Sequence, residues 1–229
     1  MKYVFQFGIV WDHLPQLING AWLTLRLSFG AFALGFALAL VLAFLRTSGP
    51  KPARVAVAAY VEVIRNTPFL VQLFIIYFSL PAIGIRMEAV TAALIGMSIN
   101  FSGYATEIVR SGIESVPRSQ IEAGQSMGFD RMQIFRHIVL FPALRTVYPA
   151  LASQFILLML GSSIVAAISA EELTAVTNSL QSTTFRSFEF YFVATGMYLA
   201  MALGARLLLH AFYWAVFERG RPAAAGWAR

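Results

Sequence analysis

The chain has no cysteine. Disulfides, thiolate metal sites and a cysteine nucleophile are therefore excluded. Charge is scarce too: 12% of the 229 residues are Asp, Glu, Lys or Arg, about half the share found in soluble domains. Histidine occurs only as His13, His137 and His210. None has an acid and a nucleophile patterned around it, so no catalytic and no metal-binding residue is assigned. A phosphate loop of the form G-x-x-x-x-G-K-[ST] is absent, which excludes ATP binding of that kind. Long apolar runs are also free of charge at their centres, where an ion-coupled carrier or pump holds its ionisable groups. No internal repeat of the inverted-carrier type is present.

What is abundant is apolar. Hydrophobic residues make up 59% of the chain and the mean hydropathy is +0.70, which describes an integral membrane protein. The net charge of +6 and pI near 10 fit basic loops on the inner face of a membrane. Nucleic acid is not expected as a partner, because no basic domain stands outside the spans. The start, "MKYVFQFGIVWDHLPQL", lacks the layout of a cleaved signal peptide. It reads as an interfacial segment, with Trp11 and Trp22 at headgroup depth.

A membrane helix needs about 20 apolar residues. The pattern predicts an all-helical protein with five spans in a single domain covering 1–229, at about 22–45, 53–81, 89–108, 146–170 and 190–217. The second is expected to kink at Pro68. With the N-terminus outside, Lys2, Arg26, Arg86 and Arg186 face out and the other thirteen of the 17 Lys and Arg face in. That bias puts the C-terminus and residues 117–142 in the cytoplasm. Ala31, Gly35, Ala39 and Ala43 form a small-residue stripe in the first span, and Gly196, Ala200 and Gly204 another in the fifth. Such stripes allow close helix approach in lipid. Whether the neighbour is in this chain or another stays open.

Polar side chains at span depth are Thr67, Pro68 (as a helix breaker), Gln72, Ser98, Asn100, Ser162 and Ser163. They line a path or bond helices together, and both readings remain open. Gly161 reads as a close-packing position. Glu171 and Glu172 fall at the outer mouth, where solvated carboxylates are the simpler account.

The segment "RSQIEAGQSMGFDRMQIFRHIVLFPALR" (118–145) is the polar exception. Ser119 and Glu122 are spaced as a capping box. Gly128 suits a left-handed helix end, and Asp130 with Gln133 gives a second N-cap. Two short helices follow, with Met132, Phe135 and Val139 on one face of the second. Ala123 and Gly124 leave the first nearly bare, as for a helix seated in a partner's groove. A returning loop with no partner is the alternative.

This segment resembles the cytoplasmic loop of membrane subunits of ABC importers, which follows E-A-A, three residues, G, nine residues, I-x-L-P. Glu122, Ala123, Gly128, Ile138 and Leu140 match; Gly124 replaces the second alanine, and Pro142 comes one place late. "YVEVIRNTPFLVQLFIIYFSLP" (60–81), "NGAWLTLRLS" (19–28) and "SAEELTAVTNSLQSTTFRSFEFY" (169–191) resemble the polar-amino-acid branch. The resemblance implies a multi-pass subunit in a bacterial cytoplasmic (inner) membrane, importing a polar amino acid delivered by an extracytoplasmic solute-binding protein. It implies a second permease subunit, identical or homologous, and a cytoplasmic ABC ATPase dimer. That dimer docks on Glu122, Ala123, Gly124 and Gly128 and carries the ATP and Mg, so this chain needs no cofactor of its own. Relatives hold a lysine and an acidic or amide residue in the fourth span where this chain has Leu160 and Gly161, which favours a heteromeric partner carrying the ligand site. The rival readings are a passive channel or ion-coupled carrier, and a non-transporting membrane scaffold.

Overall fold

The computed structural model describes residues 3–218. Lys2, Arg219, Arg221 and Arg229, counted above for orientation, lie outside them. Every regular element among the described residues is helical. A short α1 (Gly8–Asp12) leads into α2 (Leu14–Ser48), with Pro15 at the start, where a missing N–H costs nothing. α2 has 35 residues, or about 50 Å at 1.5 Å per residue, so it outruns a hydrocarbon core of about 30 Å.

The core is built on α2 against α5 (Ala89–Glu114). Ala31, Gly35, Ala39 and Ala43 are all buried, and Ala31 and Ala39 pack with Ala92, Ala93, Met97 and Phe101. The first stripe therefore serves contacts inside this chain. A Cβ on Gly35 would lie 2.6 Å from the Ser98 carbonyl oxygen and 2.9 Å from the Phe101 ring. Without side chains at such points the two backbones approach closely, and dispersion replaces the hydrophobic force that lipid removes. The second stripe differs. Gly196 and Gly204, on α10 (Ser187–Tyr213), have no atom within 4 Å of the place a Cβ would occupy. None of the described residues covers that face at Gly196 or Gly204.

α3 (Lys51–Arg65) and α4 (Phe69–Phe74) are separated by a 105° bend, where the sequence pattern suggested a kink at Pro68. Pro68 has no N–H to donate and Asn66 leaves helical geometry, so the ladder breaks there. α4 widens over Ile75–Ser79 and tightens over Leu80–Ile83. The chain then turns into α5, and beyond it lie α6 (Arg118–Ser126) and α7 (Arg131–Ile134). A widened turn, Phe135–Val139, opens α8 (Leu140–Gly161). α8 tightens over Ser162–Ile168. A further helix, α9 (Leu173–Thr184), precedes α10 and packs on α2. The pattern gave no sign of α9, because it is short and carries seven Ser, Thr or Asn residues among its twelve.

Three stretches are long and apolar enough to cross a membrane: Leu14–Ser48, Met132–Ile168 and Ser187–Glu218. The bent pair Lys51–Arg65 with Phe69–Ile83 makes a fourth if it counts as one span. α5 has the length, with 26 residues. It falls outside this set because Ser98, Asn100, Ser102 and Thr106 lower its hydropathy. Much of α5 is covered by protein rather than exposed, so it tolerates polarity. Ser98, Ser102 and Thr106 donate to carbonyls within α5, which keeps their hydroxyls satisfied in an apolar setting.

Gly35→Leu is expected to destabilise the subunit by about 1–3 kcal/mol through overpacking. Gly196→Leu should stay within about 0.5 kcal/mol. Thermal unfolding of the purified subunit in detergent distinguishes them; equal losses would refute the assignment of the two stripes.

Candidate functional site

The bend between α3 and α4 frees carbonyls at the end of α3, and one side chain collects them. Gln72 Nε2 donates to the Ile64 carbonyl at 2.8 Å, to the Thr67 hydroxyl at 2.7 Å and to the Thr67 carbonyl at 3.2 Å. The Thr67 hydroxyl in turn donates to the Val63 carbonyl at 2.7 Å. With its amide N–H groups so committed, Gln72 Oε1 accepts from Asn100 Nδ2 at 3.0 Å. Asn100 on α5 is thereby oriented by the broken end of α3. α3 is also tied to α5 by Tyr60, whose hydroxyl lies 2.6 Å from Ser102 Oγ and 3.2 Å from the Ile99 carbonyl oxygen.

Asn100 opens on a cavity of about 260 Å³ between α4, α5 and α8. Phe69, Phe101 and Tyr104 supply aromatic walls, Leu157 and Leu158 an aliphatic one, and Gln154 a second amide. The space exceeds several water volumes of about 30 Å³ each. Among the described residues, no Asp, Glu, Lys or Arg lines it. Gly161 is at its edge, with nothing within 4 Å of a would-be Cβ. Its expected role in close packing is thus not seen in this chain; it leaves room in the cavity instead.

Of the seven polar-site candidates, Asn100 alone lines this cavity. Gln72 and Thr67 act behind it, through the bend. Pro68 starts α4 just before Phe69. The hydroxyls of Ser98, Ser162 and Ser163 donate to the carbonyls of Leu94, Met159 and Leu160 in their own helices. These hydrogen bonds stay within one helix and tie no two helices together. Gln154 was not among the candidates. Its signal was the only carboxamide inside the 146–170 run.

Two carboxylates are buried, against expectation for Glu172. Glu172 is fully covered and caps α9: its Oε1 accepts from Ala175 N–H at 2.9 Å. Its Oε2 accepts from the Tyr198 hydroxyl at 2.5 Å and lies 3.3 Å from the Thr24 hydroxyl. It joins α2, α9 and α10 and is no solvated mouth residue. Glu189 is equally covered and accepts from the Tyr3 hydroxyl and the Gln6 N–H. That hydrogen bond raises the Tyr3 phenol above its ordinary pKa. Glu189 pins the N-terminal segment to the start of α10.

The polar segment forms a helical hairpin rather than a loop. α6 ends at Gly128, whose φ of +81° is the left-handed geometry predicted for it. The Asp130–Gln133 box is reciprocal, with both hydrogen bonds at 2.8 Å. The Ser119–Glu122 box does not form, because α6 starts a residue earlier, after Pro117. The apolar face also differs from expectation. Met132 is 71% exposed and Phe135 points largely outward, while Ile134, Val139 and Ala143 join Val116 in a small core. Ile113, Ile121, Phe129 and Ile138 pack onto it.

This core changes the meaning of Gly124. A Cβ there would collide with Ile138 and press on Ile134, so Gly124 is bare to admit its own chain. Apart from half-buried Ile121 and buried Gly124, every residue from Arg118 to Gly128 is exposed, Glu122, Ala123, Met127 and Gly128 among them. The widened turn at Phe135–Val139 adds one residue to the helix. It stands where the resemblance had its proline one place late, and α8 continues through Pro142 without interruption.

Long apolar helices around a mostly apolar cavity that carries two amides define a helical membrane protein as a class. The particular family follows from the sequence. Residues 35–216 match the family described as binding-protein-dependent transport system inner membrane component, and the chain belongs to it. It is thus an integral membrane protein. It is 34% identical over 196 residues to the probable glutamine ABC transporter permease protein GlnM of Bacillus subtilis, covering 86% of this chain and 91% of that one. It is 33% identical over 207 residues to the glutamine transport system permease protein GlnP of Escherichia coli, covering 90% and 94%. A crystal structure of an amino acid ABC transporter with histidines superposes with a TM-score of 0.87 at 34% identity, over 93% of this chain and 100% of that one. An inward-facing structure of the MetNI methionine ABC transporter shares the fold, with a TM-score of 0.74 at 22% identity, over 89% and 97%.

Gln72→Leu should strand the Ile64 and Thr67 carbonyls and cost about 1–3 kcal/mol, read as a lowered Tm in detergent. Glu172→Ala should remove the α9 cap at a cost of about 0.5–2 kcal/mol. Hydrogen exchange should then accelerate in 173–184 before it does in α5; uniform acceleration would contradict a local capping role.

Proposed function

We propose that this chain is the membrane subunit of an ATP-driven amino-acid importer, forming half of the translocation path. The observation that carries this reading is the hairpin α6–α7 fastened by its own small core to α5 and α8, the helices that further along also line the cavity. A push on α6 has a stiff route to the helices around Asn100 and Gln154. ATP binding on a partner ATPase dimer, which holds ATP and Mg, closes that dimer and moves the hairpin. The helices then expose the cavity to the outer side, where a solute-binding protein delivers the amino acid. This chain itself performs no hydrolysis.

In this reading five segments cross the membrane, with α5 as the polar central one and the α3–α4 pair as a bent one. The N-terminus is outside, and the hairpin and C-terminus are cytoplasmic, in a bacterial inner membrane. Docking is through the outward face of α6, namely Glu122 and Ala123 with Gly128 at its end. Gly124 supports that face from behind. The uncovered Gly196–Ala200–Gly204 face suits a second permease subunit. The neutral amides of the cavity, and relatives named for glutamine, favour a polar uncharged substrate. They also leave room for a homologous partner that supplies further ligand contacts.

Ala123→Trp tests the docking. It is exposed, so folding should be retained, and the ATPase should no longer co-purify in mild detergent while the Tm of the subunit is unchanged. Gly124→Trp is unsuited to this purpose, since it would break the internal core. If Ala123→Trp left both ATPase binding and ATP-dependent uptake intact, the hairpin would not be the docking element. Uptake that persists without ATP would instead favour a channel or carrier.

A further inference from the structure

We infer that the groove between the end of α2 and the first turn of α3 binds the phosphate headgroup of an anionic membrane lipid. The groove measures about 380 Å³ and is lined by Arg46, Lys51, Arg54, Val55 and Ala58. Three of the five residues are cationic, and their placement is unfavourable as it stands. Lys51 and Arg54 occupy the first turn of α3, which contains no acid. The helix dipole presents positive charge at that end, so cations there repel it and an anion relieves both. Among the described residues neither Lys51 nor Arg54 has a carboxylate within 4 Å.

Arg46 is only half engaged. Its Nε stands 4.0 Å from Glu107 Oε1, too far for a hydrogen bond, and that oxygen has no other partner. The second Glu107 oxygen is held by Arg110 at 2.7 Å. Arg46 Nη1 reaches the Arg54 carbonyl at 3.4 Å, which keeps the guanidinium at the groove. A guanidinium fork with an ammonium suits a phosphodiester oxygen pair.

Two features select a lipid over free phosphate. Arg46 is in the last turn of α2, a candidate membrane helix of mean hydropathy 2.3, so the groove lies where hydrocarbon gives way to headgroups. One wall is apolar: Ala58 with Val55, which is 61% exposed. An acyl–glycerol body covers that wall, and inorganic phosphate does not. Basic pockets of this kind at helix ends are suited to anionic headgroups.

The test is lipid retention by the intact subunit purified from native membranes, read by native mass spectrometry. Phosphatidylglycerol and phosphatidylethanolamine are added in equal amounts. The wild type should retain the anionic lipid preferentially, and Lys51→Gln with Arg54→Gln should reduce that preference about fivefold for each cation removed. Arg206→Gln, outside the groove, should not. Three results overturn the proposal: equal retention by wild type and double variant, an equal loss with Arg206→Gln (diffuse surface charge), or full displacement of the lipid by millimolar inorganic phosphate (a free-phosphate site). Size-exclusion profiles accompany each variant, and these exposed side chains hold no internal contact that folding requires.

Discussion

The close approach of α2 and α5 is the constraint on which the rest of the molecule depends. In lipid there is no hydrophobic gain from bringing two apolar helices together, so contact distance and dispersion must supply the cohesion. The Ala31–Gly35–Ala39–Ala43 stripe provides that distance. With α5 held in the middle by α2, α3, α4 and α8, its polar residues lie against protein instead of lipid. That is the physical condition under which an amide such as Asn100 can be kept at depth.

The break between α3 and α4 is the second decision the structure makes. A proline after a Thr forces the helix open, and the freed carbonyls would be costly without partners. Gln72 satisfies them and then hands its own oxygen to Asn100. The bend, the glue and the lining of the cavity are thus one hydrogen-bonded chain. The choice between path residues and glue residues was therefore not a real choice here: Gln72 and Thr67 bond helices so that Asn100 can face the space.

The hairpin shows the same economy. Two very short helices have little stability of their own. Ile121, Phe129, Ile134 and Ile138 give them a core shared with the ends of α5 and α8, and Gly124 makes room for it. A surface set on such a core can pass a displacement into the bundle, whereas a solvated loop would absorb it.

Much was legible in the sequence alone. Scarce charge, long apolar runs and the small-residue stripes define a helical membrane protein, because those properties act locally and without regard to partners. Gly128 and the Asp130–Gln133 box were legible for the same reason: each is satisfied within a few residues. The E-A…G…I-x-L spacing carried the resemblance that the family match bears out. Only the tertiary structure decided which neighbour each face meets. Ser119 lost its capping role to a helix that began one residue earlier. Gly124 turned inward, Met132 and Phe135 outward, and Gly161 faced a cavity in place of a helix. Glu172 proved to be a buried cap joining three helices, and Gln154 a wall of the cavity. Burial and partnership of a side chain are set by residues distant in the chain (148 positions, for Thr24 and Glu172). No periodicity in one segment records that.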